Sequence, residues 1–370
     1  MGSLTSSSRT PCRQVEDSPQ FYRVYASFSA KNLSPDVNMS NWIECYNPST
    51  NKWHIVTSIP GLVEHHVLKG FAMVIVGDFI YIIGGLLCHK VVLEGHDSDD
   101  ISEVGREVYR SVLRYSIKDN TWTKCNPLKV PRFDFGCTVS GNKIYVAGGK
   151  STINSEKGVS SSEVYDPALD EWKLLPNMNT LRYKCVSVTW QGKIYVVGGF
   201  AECGASNIGP FSMARSSAEV YDTLNNKWEF LPRMWELDVP PNQIVNLGGK
   251  LYSSGDCYKK WKGFIEKFDI ELNMWDVVDG SSLSSPTSMF DIISPTRPLM
   301  EQVYLTIAPI GTCLHFLAGY RMTGDTSQFR TEVHVFDTSS FGDGWKSFAP
   351  MIEHCDKELS CHCSVYKGRD

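Results

Sequence analysis

Apolar residues in this chain fall in short runs that end in glycine, rather than in the long periodic stretches that build helices. The segments Asp78-Phe-Ile-Tyr-Ile-Ile-Gly84-Gly85, Asn142-Lys-Ile-Tyr-Val-Ala-Gly148-Gly149 and Gly192-Lys-Ile-Tyr-Val-Val-Gly198-Gly199 share one pattern. Each is an apolar, β-branched run closed by a glycine pair, and it predicts a buried strand whose end packs closely against other backbone. Lys250-Leu-Tyr-Ser-Ser-Gly255 and Cys313-Leu-His-Phe-Leu-Ala-Gly319 are weaker copies. An aromatic–acidic step and then a tryptophan follow: Tyr165-Asp166 with Trp172, Tyr221-Asp222 with Trp228, Phe268-Asp269 with Trp275 and Phe336-Asp337 with Trp345. Tyr115 with Trp122 lacks the acid, and Tyr46-Asn47 with Trp53 has no glycine pair before it.

These six tryptophans are 69, 50, 56, 47 and 70 residues apart, a period near 50 with insertions. A period of that length built from short strands is the signature of a kelch β-propeller. The aliphatic second strand of each blade fills the interior, and the tyrosines and tryptophans of the third and fourth strands cover the faces between blades. They are scaffold residues.

The two chain ends predict how the ring closes. Phe21–Phe28 alternates as a second strand, residues 42–57 supply a third and a fourth, and no innermost strand precedes them. Ser360–Tyr366 is strand-like and has no blade of its own. Joined, they give six blades closed three-plus-one, with no sheet edge left open. The expected fold is all-β, a leader over 1–19 followed by one six-bladed propeller over 20–370.

From about residue 20 onward the chain resembles the plant kelch-repeat proteins of the galactose oxidase/kelch superfamily. Asn41-Trp-Ile-Glu-Cys-Tyr46, Leu181-Arg-Tyr-Lys-Cys185 and Leu237-Asp-Val-Pro-Pro-Asn-Gln243 carry that likeness. Many such plant proteins place an F-box before the propeller and serve as ubiquitin-ligase substrate receptors. Residues 1–20 are too few and too polar for an F-box, so any ligase link is expected to come through a partner. Copper oxidases of the superfamily use a Tyr–Cys cross-link, which has no match here. Plant specifier proteins carry an iron site on Glu-xxx-Asp-xxx-His, a spacing this chain lacks.

Composition narrows the functional classes. The 370 residues carry 36 basic and 41 acidic side chains, a net charge of −5, which argues against nucleic-acid phosphates or anionic lipid as partners. No apolar run reaches the ~20 residues of a membrane span, and no signal-peptide core opens the chain. Its 12 cysteines show no recurring short spacing, so reduced thiols and a cytoplasmic or nuclear location are expected. Met1–Ser6 also fits the N-myristoylation pattern at Gly2, against the preferred reading of a plain Ser-rich leader.

Loops that enter first strands and loops that follow glycine pairs belong to the same end of a propeller. The candidate binding residues there are His66, Lys69, Arg132, Asp134, Lys150, Arg182, Tyr183, Lys184, Phe200, Asn242, Asp256, Tyr304 and Arg321. Two loops look long, 86–106 and 200–217. Basic and aromatic side chains around an axial funnel suit an acidic peptide or a small polar ligand. The leading expectation is a monomeric, non-catalytic module that binds a protein or peptide and needs no cofactor. The alternative is an enzyme or ligand-binding protein of specialised metabolism, in which Asp134, Arg182, Tyr183 and Lys184 would position or protonate a small molecule. Cys257 is expected to be a buried, inert thiol. His354-xxx-Glu358-xxx-His362, with Cys355, Cys361 and Cys363 beside it, imitates a metal site. A tail that forms a strand would break that spacing, and no metal is expected.

Overall fold

The computed structural model describes residues 19–31, 40–63, 65–92, 101–203, 211–261, 263–281, 299–323, 328–340, 344–353 and 356–368. The leader with Gly2, and also His354 and Cys355, lie outside the described residues. Among the described residues the regular secondary structure is almost all antiparallel strand, with a 3-10 turn at Pro19–Phe21 and one short α-helix at Phe211–Arg215.

Tyr22–Ala30, Trp42–Asn47 and Lys52–Ser58 pair in order, and Lys357–Lys367 adds to the free side of Tyr22–Ala30 to complete blade 1. Val24 pairs with Val365 and Tyr25 with Ser364, so the two chain ends zip together. Blade 2 begins with Ala72–Val76, blade 3 with Gly136–Ser140, blade 4 with Val186–Trp190, blade 5 with Ile244–Leu247 and blade 6 with Leu299–Ile310. These first strands, together with Lys357–Lys367 of blade 1, touch in a closed circuit around one axis. The sheets form a β-propeller.

The repeated aromatics do the same job in each blade. Tyr165 stands opposite Trp172 across the strand pair, with ring centroids 4.9 Å apart; the Tyr221–Trp228 and Phe268–Trp275 pairs sit at 5.1 and 5.3 Å. Each such pair adds about 0.5–1.5 kcal/mol beyond the area it buries. The Trp172 indole N–H donates to the Asn126 carbonyl at 3.0 Å and that of Trp228 to Pro176 at 2.9 Å, so each tryptophan ties its blade to the end of the one before. Trp53 differs: its buried indole N–H has no partner among the described residues.

The glycine pairs are needed because backbone passes directly over them. A Cβ on Gly148 would lie 2.7 Å from the Arg182 carbonyl oxygen, and one on Gly149 equally close to that of Phe133. Gly149 N–H donates to the Arg182 carbonyl at 2.8 Å, which clamps the loop entering blade 4 onto blade 3.

Two expectations about loops are corrected. Most of the segment 86–106 is a hairpin, Leu86–Val92 with Ile101–Val108, joined to His66–Lys69 in a three-stranded cap over blade 2. The segment 200–217 starts as strand Phe200–Cys203, paired with Thr180–Tyr183, and later carries the short helix. Both extensions continue strands past the glycine pairs. No helix among the described residues is long and apolar enough to cross a membrane.

Candidate functional site

The loops entering blades 2, 3 and 4 are joined by a backbone relay at the loop end of the axis. Asp134 N–H donates to the Gly70 carbonyl at 2.8 Å, and Lys184 N–H to the Asp134 carbonyl at 2.6 Å. The three residues hold equivalent places and share left-handed backbone, with φ of +58°, +53° and +52° for Gly70, Asp134 and Lys184. Glycine takes this conformation freely, whereas a residue with a Cβ does so at a cost of about 1–2 kcal/mol, a cost aspartate often softens by local hydrogen bonding.

Asp134 and Lys184 line a funnel of about 460 Å³, with Asn242, Cys257, Tyr258, Tyr304, Ser360 and His362 around it. A second cavity of about 480 Å³ continues along the axis and shares Phe71, Phe135, Cys185 and His362 with the first. Burial pushes the Asp134 carboxyl above its ordinary range, against the downward pull of Lys184 and Lys150. Beside the funnel, Tyr183 and Phe200 face each other at 5.1 Å and Phe200 reaches Tyr258 at 6.4 Å. The Lys150 ammonium sits 4.2 Å over the Tyr183 ring and the Arg215 guanidinium 5.4 Å over that of Phe200. The result is an aromatic ledge with cations along it, and Tyr258 is 65% exposed.

Several expected site residues have other work. Arg132 and Arg182 are fully buried. Arg132 donates to the Gly148 and Ser161 carbonyls and pairs with Glu163 at 2.7 Å. Arg182 donates to the Gly198, Ala214 and Ser217 carbonyls and lies 3.4 Å from Glu219. Both guanidiniums are spent inside their blades, which removes them as ligand contacts and removes Arg182 from any acid–base role. Lys69 bridges Glu103 and Glu358 at 3.1 and 3.0 Å, and Arg321 pairs with Glu301 and Asp356 at 2.9 and 2.6 Å. Asp256 is buried and caps its own turn by accepting from the Tyr258 and Lys259 N–H groups. Tyr304 is 5% exposed, its hydroxyl 3.1 Å from that of Thr331. His66 lies in the cap, outside the residues that line the funnel.

Asp134, Lys150, Tyr183, Lys184, Phe200, Asn242 and the largely buried Tyr304 are the expected residues that reach the funnel or its ledge. Sequence reasoning missed Tyr258 and Arg215, although Tyr258 follows Gly255 in the kind of loop it had selected. Cys257, expected buried, is exposed at the mouth, with its thiol pushed above the ordinary range. Glu358 and His362 are about 13 Å apart at four strand residues of about 3.3 Å each, too far to share one ion. Among the described residues no three His, Cys, Asp or Glu side chains are placed to hold a metal.

The Kelch motif matches residues 39–60, 131–179 and 181–234. This chain carries kelch repeats. It is 28% identical over 224 residues to the F-box/kelch-repeat protein At1g16250 of Arabidopsis thaliana, an alignment covering 57% of this chain and 52% of that one. It is 25% identical over 337 residues to Kelch-like protein 21 of Bos taurus, covering 80% and 50%. The F-box/kelch-repeat protein SKIP30 of Arabidopsis thaliana shares 29% over 160 residues, 42% of this chain and 41% of its own length. The kelch-repeat chain thus spans about half the length, or less, of these curated relatives. Kelch repeats and relatives of this kind support a protein-interaction module.

Proposed function

We propose that this protein binds a peptide segment of a partner protein at the funnel mouth, without chemistry of its own. The observation that carries the reading is that Asp134 and Lys184 both occupy left-handed backbone at the same rim. A non-glycine residue kept in a sparsely populated conformation points to a use for its side chain. The ledge of Tyr183, Phe200 and Tyr258 supplies flat contact area with few side-chain torsions to freeze, which favours peptide binding. Lys150, Lys184 and Arg215 favour a segment that carries carboxylates. Relatives named for an F-box suggest that such a partner is a substrate for ubiquitin transfer, with this chain as its receptor.

Random peptides selected by phage display on the immobilised chain test the reading. The expected winners are enriched in acidic residues and lose at least about tenfold in affinity, roughly 1.4 kcal/mol, on Lys184→Ala or Tyr258→Ala. Winners that bind both variants as tightly as the parent chain would place the interaction elsewhere.

A further inference from the structure

The second axial cavity, below the funnel, is left unused by the peptide-binding reading. Its volume of about 480 Å³ falls in the range of small-molecule sites. Met73, Val139, Val188 and Val365 give it apolar walls, and among the described residues no acidic or basic side chain other than His362 lines it. An ionised ligand would lose its hydration there and meet no counter-charge, so the walls favour neutral molecules.

Most polar groups around this cavity are already spent. The Thr189 hydroxyl donates to the Val139 carbonyl and the Ser364 hydroxyl to that of Met73, each at 2.9 Å. The Gln243 carboxamide bonds Thr306 and Ile307. Two lining residues differ: Ser187 Oγ and His362 Nδ1 are buried and have no hydrogen-bond partner among the described residues. The Asn242 N–H is taken by the Gly255 carbonyl at 2.9 Å, so the imidazole of His362, which hydrogen-bonds the Asn242 backbone, donates from Nε2 to the Asn242 carbonyl. In the neutral ring that leaves Nδ1 as an acceptor with no donor. Ser187 stands against bare backbone, because a Cβ on Gly136 would collide with its hydroxyl oxygen. Gly136 is outside the left-handed region, so its conformation does not call for glycine; the space for that hydroxyl does. The closing strand and the first strand of blade 4 are three contacts apart in the circuit of first strands, which puts the two unpartnered atoms on opposite sides of the axis.

We infer that this cavity binds a small neutral molecule with an apolar body and a hydroxyl or amide group at each end, one donating to His362 Nδ1 and the other bonded to Ser187 Oγ. The site lies below the rim and does not depend on what the rim binds.

The test uses 2,6-dihydroxynaphthalene, a neutral diol whose fluorescence is excited to the red of tryptophan, titrated with the full chain at neutral pH. One molecule per chain is expected, with a Kd below about 1 mM. The dimethoxy analogue, which accepts but cannot donate, should bind the parent chain at least about threefold more weakly, the effect of one net hydrogen bond. The anion 6-hydroxy-2-naphthoate should bind more weakly still. His362→Leu and Ser187→Ala should each weaken the diol by about threefold or more, with an unchanged far-ultraviolet circular dichroism spectrum to show that the variants fold. No binding of the diol up to about 1 mM, a dimethoxy analogue or naphthoate that binds as tightly, or full affinity in both variants would each overturn the site. The first three outcomes are read on the parent chain and need no variant to fold.

Discussion

Lys184 has no local means of easing its backbone conformation. At φ +52° its Cβ is held against the neighbouring carbonyl, and a long aliphatic side chain cannot hydrogen-bond back to its own turn as aspartate can. The equivalent position in blade 2 is Gly70. Exchanging Lys184 for glycine relieves about 1–2 kcal/mol of left-handed strain and adds about 0.5–1 kcal/mol of chain entropy lost on folding. Lys184→Gly should therefore raise the unfolding free energy in urea by roughly 0.5–1 kcal/mol and weaken the selected peptides at the same time. A variant that is less stable than the parent would mean that the ammonium makes a fold-stabilising contact, and the strain argument for its role would fail. The same comparison separates Asp134 from Lys184, because aspartate tolerates this region and its replacement by glycine should gain less.

At the level of elements, ring closure rests on one strand and on the charges that seat it. Lys357, at the start of the closing strand, is 1% exposed. Its ammonium pairs with Glu44 of blade 1 at 2.7 Å and with Glu353 at 2.6 Å, and it lies 4.3 Å over the Phe28 ring. Removing one member of a buried pair leaves an uncompensated charge and costs about 3–5 kcal/mol. Lys69, which reaches Glu358 on the same strand, is only half-buried, and a partly exposed pair contributes about 1 kcal/mol or less. Lys357→Ala should therefore destabilise the protein several-fold more than Lys69→Ala in denaturant titrations. Equal losses would mean that the buried triad does not hold the strand in place. The existence of this strand was legible in the sequence, since Ser360–Tyr366 alternates with no blade to join, but its lock was not. Glu44 and Lys357 are 313 residues apart, and nothing local marks either as a partner. Parity misled the reading at Arg182 for a related reason. Thr180–Tyr183 alternates buried and half-buried, so Arg182 turns inward and Tyr183 outward. That alternation exists only because Phe200–Cys203 pairs with it and extends the blade past its glycine pair, and a sequence that looks like loop at both places does not reveal the pairing.

For the whole molecule, the repeat made the ring legible because every blade restates the same local grammar of apolar run, glycine pair, tyrosine and tryptophan. Departures from the repeat carry what the ring does not share, and histidine, buried at position 315 and half-buried at 362, is one of them. His315 on the second strand of blade 6 and His362 on the closing strand are both pushed down to about 4 by burial. His362 hydrogen-bonds the Asn242 backbone, and its Nδ1 has no partner among the described residues. In the unfolded chain both would titrate near about 6.5. Between these values the unfolded state binds more protons than the folded one, so stability is full above about pH 6.5 and falls as pH drops toward 4. Each histidine contributes a slope of at most about 1.4 kcal/mol per pH unit within that window. The carboxyls of Asp166, Asp222 and Asp337 are held below their ordinary range by hydrogen bonds and, for Asp166 and Asp222, by a lysine. Their stabilisation persists above about pH 4 and is lost only as pH falls below it, so the two effects occupy separate windows. Urea unfolding at pH 7 and pH 5 should show a loss for the parent chain that shrinks in His315→Leu/His362→Gln. An equal loss in that double variant would mean that other groups carry the acid sensitivity.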